Sequence, residues 1–239
     1  MFAKTGFKID MENSSNELQY RIIEGTREVF SEPERTHLGH NSKKTSPPTS
    51  PQGLNLYAEI ITGSNKWIER ACELAAESAK TGGGPFGAIV LQIDSETSQI
   101  LRLWEAWNSV TCNNDPTAHA EINAIRAACA SLRVYNLGKI PKSLAALNQP
   151  GEWSHCIILS SCEPCPMCYS AIAWARIPEL YFAATRFDAA QPGVGFSDEA
   201  IYDDLRKPYS KRLIKVYKCN APNSLNAFQV WKQIDKQMY

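Results

Sequence analysis

Apolar residues recur every three or four positions after Ser64, and further along the chain they take the spacing of strands. Ser64 is a suitable N-cap and Gly82-Gly83-Gly84-Pro85 is a strong stop signal, so the pattern predicts a helix between them. The apolar stripe of this helix consists of Trp67, Ile68, Ala71, Leu74, Ala75 and Ala79. Phe86 to Ile93 is then predicted to form a buried strand, and Ile100 to Trp107 a second one.

Helices and strands continue to alternate in the second half of the chain. Asp115-Pro116 is a helix start signal and predicts a helix that carries His119 to Ala130. The later predicted elements are a strand over 156–160, a helix over 165–175, a strand over 180–184, a short helix over 199–205 and a last strand over 213–217. This alternation predicts an α/β fold, a three-layer α/β/α sandwich with a mixed central sheet. Segments that follow strand ends meet in such a fold, so His119 and Cys165 are expected to lie close together.

The first 63 residues differ in composition from the rest of the chain. Leu18, Ile22 and Val29 permit one amphipathic helix over 14–30. The following stretch, 31–55, is polar and proline-rich and cannot bury enough surface to fold alone. We therefore predict an N-terminal extension over 1–63, with a linker or surface arm at 31–55, followed by a single domain over 64–239.

The charge balance of the chain narrows the class of partner. Twenty-five basic and twenty-five acidic side chains cancel, so no broad positive field would attract a polyanion such as tRNA or DNA. A small, neutral substrate is favoured. No uninterrupted apolar run reaches the roughly 18 residues of a membrane span, and Met1 to Tyr20 lacks the apolar centre of a signal peptide. We expect a soluble, cytoplasmic protein without a membrane partner.

The cysteines favour metal binding over disulfide formation. Three of the eight cluster at Cys162, Cys165 and Cys168, and no secretory signal accompanies them. His119-Ala120-Glu121 lies upstream, and one imidazole with two thiols is a ligand set that suits zinc and leaves a fourth position open. An open position distinguishes a catalytic zinc site from a structural one. We predict one zinc ion per subunit, bound by His119, Cys165 and Cys168.

The spacing around the ligands also indicates the roles of Glu121 and Cys162. Cys165 and Cys168 are three positions apart in the first turn of a predicted helix, where both sulfurs share a face and the helix N-terminus favours thiolates. Glu121 lies two residues beyond His119, where its carboxylate can move protons without binding the metal. Cys162 lies on the strand side of the motif, after the predicted strand over 156–160, and is predicted not to bind zinc. The combination of H-x-E with P-C-x-x-C is the signature of zinc-dependent nucleobase deaminases.

Longer segments resemble the bacterial guanine deaminase family, which belongs to the cytidine-deaminase-like zinc hydrolases. Those around the metal signature are 83–88, 114–121 and 161–168, and those in the carboxyl half are 187–190, 195–196, 201–202, 227–231 and the terminal Tyr239. The resemblance runs from about Trp67 to the end of the chain. It implies a cytidine-deaminase-like fold and hydrolysis of guanine to xanthine and ammonia, a reaction of purine breakdown.

The same resemblance implies roles for residues outside the metal signature. Asn108 and Asp188 would address the polar edges of the base, with Asp188 also assisting Glu121 in proton transfer. The aromatic residues Phe86 and Trp174 would line or stack against the rings, and Tyr239 would close over them. The resemblance further implies a homodimer in which the 220–239 segment of one subunit covers the active site of the other.

Three stretches depart from the family, and the third of them keeps other substrates open. They are the N-terminal extension, an insertion over 136–153 and a longer loop over 191–195, which follows Asp188 directly and so affects the edge of the pocket. Guanosine, cytosine or an aminotriazine could present an amino-substituted carbon to the same site. A tRNA adenosine deaminase would require a dense basic rim to bind the phosphate backbone. The non-enzymatic alternative is a zinc-stabilised module that binds a partner through its N-terminal arm. The late basic cluster over 206–218 is interpreted as a solvated face.

Overall fold

The structure is a computed structural model that describes residues 20–23, 26–29, 34–35, 56–63 and 65–234. Within these residues the central element is an eight-stranded sheet. Its strands are β1 (Tyr20–Ile23), β2 (Thr26–Val29), β3 (Glu34–Arg35), β4 (Gly87–Asp94), β5 (Gln99–Trp107), β6 (Ile140–Pro141), β7 (Trp153–Cys162) and β8 (Leu180–Ala184). The order is β1-β2-β5-β4-β7-β6, with β3 beside β5 and β8 beside β7. Only β7 and β8 pair in parallel among these strands, which confirms the mixed sheet.

Helices cover both faces of the sheet. They are α1 (Lys66–Lys80), α2 (Val110–Asn113), α3 (Ala120–Leu132), α4 (Pro166–Trp174), α5 (Arg186–Ala189), α6 (Glu199–Arg206) and α7 (Asn226–Gln233), with a 3-10 turn at Tyr209–Lys211. No helix in the described part of the chain combines the length and the apolarity that crossing a membrane requires.

The side chains of β4 and β7 alternate between two hydrophobic cores. Ile89 and Leu91 face α1 together with Ile157 and Leu159 of β7. Val90 faces the other way, into a core that also contains Ile158, Ala124 of α3 and Ile172 of α4. Strand side chains point to opposite faces with a period of two, so each buried strand contributes to both cores. The predicted three-layer sandwich is confirmed, with α1 on one face and α3 and α4 on the other.

The N-cap of α1 lies one residue later than the predicted cap, at Asn65. Ser64 lies outside the described residues, and the side chain of Asn65 accepts the backbone N–H groups of Trp67 and Ile68, each at 3.0 Å. Asparagine is as good an N-cap as serine. At Gly87, β4 passes so close to α1 that an added Cβ would lie 2.3 Å from the carbonyl oxygen of Ala71, so this position requires glycine.

The predicted helix over 14–30 is wrong for its described residues, which form the hairpin of β1 and β2. β2 pairs with β5, with Thr26 opposite Ala106 and Val29 opposite Leu103. This stretch is rich in β-branched residues, which favour strands, and the edge of β5 offers unpaired backbone groups. That pairing outweighs the weak helical spacing. Most of the predicted linker or arm, 31–33 and 36–55, lies outside the described residues, and the division into extension and domain stays a prediction.

Two other predictions about local structure are wrong. Residues 213–217 form no strand, and Leu213, Ile214 and Tyr217 are exposed. Among the described residues no strand pairs with them. Asp115 does not start the helix that carries His119, since that helix begins at Ala120. The Asp115 carboxylate instead accepts the backbone N–H and the hydroxyl of Thr117, at 2.8 and 2.7 Å. This local turn competes with the helix start.

The predicted insertion over 136–153 is packed onto the sheet at the far end of β4. Leu137 and Ile140 are buried in the core, and the backbone N–H of Gly151 donates to the carboxylate of Asp94 at 2.8 Å. Asp94 is the last residue of β4, whereas the zinc signature lies near its first residue. The insertion therefore packs against and stabilises the end of the sheet that is opposite the site described below.

Candidate active site

His119 and the two cysteines meet at one edge of the sheet. β5 and β7 both run antiparallel to β4, which lies between them, so their carboxyl ends share an edge. His119 is the N-cap of α3, Cys165 is the N-cap of α4, and Cys168 lies in the first turn of α4. The three ligand atoms lie within 4.8 Å of one another. The expectation that the segments following the strands would bring His119 and Cys165 together is confirmed.

The spacing of these atoms fits a tetrahedral zinc ion. His119 Nδ1 lies 3.7 Å from the Sγ atom of Cys165 and 3.5 Å from that of Cys168. Zinc bonds of about 2.0–2.1 Å to nitrogen and about 2.3 Å to sulfur at tetrahedral angles would place nitrogen and sulfur about 3.6 Å apart. Among the described residues this group supplies three ligands and not four, which is the number of protein ligands in catalytic zinc sites. Cys162 lies outside this group, and its Sγ donates to the carbonyl of Thr185 at 3.5 Å.

The two ligand thiols share a proton unequally. A hydrogen bond from Cys168 lowers the pKa of Cys165 to about 4, with a further contribution from the His119 imidazole. The same hydrogen bond, together with burial, raises the pKa of Cys168. Cys165 is therefore the first thiolate of the pair. Cys162 contrasts with it, since burial raises its pKa to about 12 and keeps it a thiol.

Glu121 is buried beside the ligands, in the first turn of α3. Its side chain is only 5% exposed. The hydroxyl of Ser160 donates to Oε1 at 3.0 Å, and the Cys168 thiol donates to Oε2 at 3.4 Å. Burial raises the pKa of the carboxyl group. The position satisfies the geometric condition for a general acid and base next to a reacting centre, because the carboxylate contacts the ligand set without belonging to it.

Replacing Ser160 with alanine is expected to lower kcat/KM about tenfold, because the buried carboxylate loses the donor that orients it. Zinc content should not change. Ser154 provides a matched control on the same strand, since it is equally buried and its hydroxyl donates to Gln149 Oε1 at 2.7 Å, away from the site. Ser154→Ala should retain wild-type activity. Steady-state kinetics on both variants would contradict the assignment if they lost activity equally.

Phe86 directly precedes β4 and Asn108 directly follows β5, and the two residues are neighbours in the structure. Asn108 is buried, its backbone N–H donates to the carbonyl of Phe86 at 3.0 Å, and its Oδ1 accepts the backbone N–H of Val110 at 3.3 Å. A Cβ added to Gly84 would lie 2.9 Å from Asn108 Oδ1, so the glycine loop is shaped to this amide. Phe196, which belongs to the family-like segment 195–196, packs edge-on against Phe86 at 5.1 Å between ring centroids, a contact that the sequence did not predict.

The longer loop over 191–195 explains the position of Phe196. Gly193 and Gly195 have φ angles of 88° and 83°, in the left-handed region that glycine adopts without strain. The loop turns back on itself, and the backbone N–H of Phe196 donates to the carbonyl of Ala189 at 3.0 Å. The loop thus places the ring of Phe196 against Phe86.

Of the other predicted substrate residues, the structure describes Asp188 and Trp174. Asp188 is exposed and closes a capping box on α5, in which its Oδ2 accepts the backbone N–H of Thr185 at 2.8 Å and the Thr185 hydroxyl at 2.6 Å. These hydrogen bonds lower the pKa of Asp188. Trp174 is 70% exposed at the far end of α4, and the structure does not bring it to the ligands of its own chain. Tyr239 lies outside the described residues.

Comparison with known proteins places the metal signature inside a recognised region. Residues 62–184 match the cytidine and deoxycytidylate deaminase zinc-binding region. The chain is 40% identical over 167 residues to a guanine deaminase from Bacillus subtilis, covering 70% of this chain and 92% of that protein. It is 31% identical over 141 residues to a tRNA-specific adenosine deaminase from Haemophilus influenzae, covering 59% and 68%. The X-ray structure of guanine deaminase from Bacillus subtilis superposes with a TM-score of 0.59 at 37% identity and covers 74% of this chain and 99% of that one.

Proposed function

Because the chain belongs to the cytidine and deoxycytidylate deaminase zinc-binding family, we propose that it hydrolyses guanine to xanthine and ammonia. His119, Cys165 and Cys168 would bind the zinc ion, one per subunit. The observation that carries the proposal is the convergence of these three ligand atoms within 4.8 Å, with the buried carboxylate of Glu121 in contact with Cys168. The extended similarity to guanine deaminase, across 92% of that protein, favours guanine among the aminated bases.

The chemistry divides between the ion and the carboxylate. When bound, zinc lowers the pKa of a coordinated water toward about 7 and supplies a hydroxide nucleophile at neutral pH. Glu121 would accept the proton of the attacking water and deliver it to the ring nitrogen as the water oxygen bonds to C2. It would then carry the remaining hydroxyl proton to the amine, so that the C2–N bond breaks, ammonia leaves and the C2 carbonyl of xanthine remains. Ser160 holds Oε1 of Glu121 in place, which leaves Oε2 on the side of the ligands.

The residues near the ligands can recognise a planar base. Phe86 and the Phe196 that packs against it form an aromatic wall, and such walls suit purines. Asn108 supplies an amide at the same edge of the sheet. Asp188 is kept anionic by the Thr185 hydrogen bonds, so its remaining oxygen can accept an N–H of the base and assist proton transfer. Fixed polar groups of this kind reject bases that leave them unpaired.

We further propose a homodimer that exchanges its carboxyl segment. From α5 to α7 no helix has a buried residue, and the apolar side chains of Ile214, Tyr217 and Phe228 are exposed. A soluble chain rarely leaves so much apolar surface in contact with water. Tyr169 and Trp174 are exposed on α4 as well, and a second subunit would cover both surfaces. In such a dimer Trp174 and Tyr239 could reach the site of the partner subunit.

Deleting residues 228–239 is expected to convert the dimer into a monomer and to raise KM for guanine at least about tenfold, since the segment would both bind the partner and cover its site. Sedimentation analysis and steady-state kinetics measure the two effects. A truncated protein that remained dimeric with unchanged KM would contradict the exchange.

Deamination of tRNA is the alternative within the same family, and the charges near the carboxyl end disfavour it. Arg206 lies 3.6 Å from Asp203, and Lys207 lies 3.7 Å from Asp204, so the basic cluster is partly neutralised by its own helix. Phosphate binding requires cations that are available to the backbone of the nucleic acid.

One screen tests the proposed function directly. Ammonia release is measured with guanine, guanosine, cytosine, adenine, an aminotriazine and unmodified tRNA at equal enzyme and physiological salt. We expect kcat/KM for guanine to exceed that for each other compound at least about a hundredfold, because buried polar groups discriminate strongly. Preference for any other compound in the panel would contradict the assignment of guanine, and no release from any of them would favour a non-enzymatic zinc module.

A further inference from the structure

Glu163 joins the loop that carries the zinc ligands to the start of α5. Its backbone N–H donates to the carbonyl of Ala184 at 2.8 Å, and its Oε2 accepts the backbone N–H of Arg186 at 3.1 Å. Cys165 follows Glu163 by two residues, and Arg186 is the first residue of α5. A carboxylate in this place pairs one of the N–H groups that a helix leaves free at its N-terminus. Glu163 therefore sets the distance between the zinc ligands and α5.

Tyr57 contacts this connection from outside the region that matches the family, which begins at residue 62. Its phenol donates to Oε2 of Glu163 at 2.6 Å, the same oxygen that accepts the Arg186 N–H. Its ring packs on Phe182 at 6.2 Å and edge-on against Phe187 at 6.5 Å between centroids. Burial and the Glu163 carboxylate raise the pKa of Tyr57, and a hydrogen bond with Thr185 acts in the opposite direction. The phenol thus keeps its proton and remains a donor.

The first turn of α5 transmits this contact to Asp188. Thr185 and Asp188 form a closed unit, because two groups of Thr185 donate to the Asp188 carboxylate and the backbone N–H of Asp188 donates back to the Thr185 hydroxyl at 3.2 Å. A shift of α5 at Arg186 therefore carries the Asp188 carboxylate with it. Glu121 lies on α3, and no hydrogen bond in the described residues ties it to this chain of contacts.

We propose that Tyr57 is a positioning residue, which holds Glu163 and through it the Asp188 carboxylate at the distance from the zinc ligands that binding of the base requires. The N-terminal extension would thereby contribute to substrate affinity. The inference rests on the proposed function, since Asp188 is assigned there to the base.

The test removes one hydroxyl and keeps the ring. In Tyr57→Phe, the amides of residues 186–188 are expected to exchange with solvent at least about fivefold faster, because a hydrogen bond that orders their acceptor is lost. KM for guanine and the dissociation constant of xanthine should both rise about tenfold, with a smaller change in kcat and full zinc content.

Tyr181→Phe is the matched control. The Tyr181 phenol also donates to a carboxylate, Oε2 of Glu179 at 2.5 Å, but on the exposed surface of β8. This variant should match wild type in exchange, KM and xanthine affinity. If wild type released no ammonia from guanine, the proposed function would fail and the inference with it. With an active wild type, a Tyr57→Phe protein whose KM and xanthine affinity stayed within about twofold would overturn the inference alone, whatever its exchange rates.

Discussion

Glu121→Gln is expected to bind one zinc ion per chain and to fold normally, but its kcat is expected to fall about 10³- to 10⁴-fold. This is the upper range for removal of a positioned general acid and base. Glutamine keeps the shape of the side chain and can still accept the Ser160 hydroxyl, but it cannot take up and release protons at neutral pH. The change therefore separates proton transfer from metal binding.

Glu69→Gln provides the control for this variant. Glu69 is also an acidic residue in the first turn of a helix, α1, but it is exposed and remote from the ligands. Its substitution should leave kcat and zinc content unchanged. Metal analysis, circular dichroism and initial rates measured on the same preparations would distinguish a chemical loss from unfolding. Residual kcat above about a tenth of wild type in Glu121→Gln would remove Glu121 from the proton transfer steps.

Cys168→Ser is expected to lose both the metal and the activity, because a neutral hydroxyl replaces a buried thiolate ligand and leaves two protein ligands for zinc. Zinc content after exhaustive dialysis should fall at least about tenfold, and kcat should fall in proportion. The origin of this loss differs from that in Glu121→Gln, since this variant fails at metal binding. Added zinc in excess should restore at most a small part of the activity.

The neighbouring Cys162→Ser variant is the natural comparison. Cys162 is buried three residues before Cys165, and its Sγ donates to the carbonyl of Thr185, a role that a serine hydroxyl can take over. Zinc content and kcat should stay close to wild type. Loss of zinc from Cys162→Ser with retention in Cys168→Ser would mean that the ligand pair has been assigned one C-x-x-C step too late in the sequence.

The zinc ligands could be predicted from the sequence because their geometry is local. Cys165 and Cys168 are fixed relative to each other by one helical turn, and His119 is fixed by its place before a helix that follows the strand region. Helix starts at the carboxyl ends of neighbouring strands converge in α/β folds, so short motifs were sufficient. The predicted strand over 156–160 was two residues too short at its carboxyl end, because β7 continues through Cys162.

The surroundings of the ligands could not be predicted because they depend on contacts distant in sequence. In the sequence Ser160 is an ordinary strand residue, and its contact with Glu121 depends on the packing of β7 against α3. Phe196 contacts Phe86 only because the chain turns at Gly193 and Gly195. Asp188 matched the family motif, but the motif gave no sign that one of its oxygens would be used in a capping box. Its role in binding stays a prediction.

The errors in secondary structure have the same origin. The spacing over 14–30 suggested a helix, but the sheet offers an open edge at β5 whose hydrogen bonds with β2 a helix could not make. Residues 213–217 have the composition of a strand, but no strand in the described part of the chain pairs with them, and they are irregular. Propensity is a weak guide wherever tertiary pairing decides the outcome.

X-ray absorption at the zinc edge tests the central claim most directly, because it reports the ligands of the bound ion without reference to activity. The wild-type protein is expected to show two sulfur neighbours at about 2.3 Å and two lighter neighbours, nitrogen and oxygen, at about 2.0–2.1 Å. The lighter shell corresponds to His119 and to the open position from which the chemistry proceeds. A shell of three or four sulfur atoms, or of none, would contradict a catalytic site built from His119, Cys165 and Cys168.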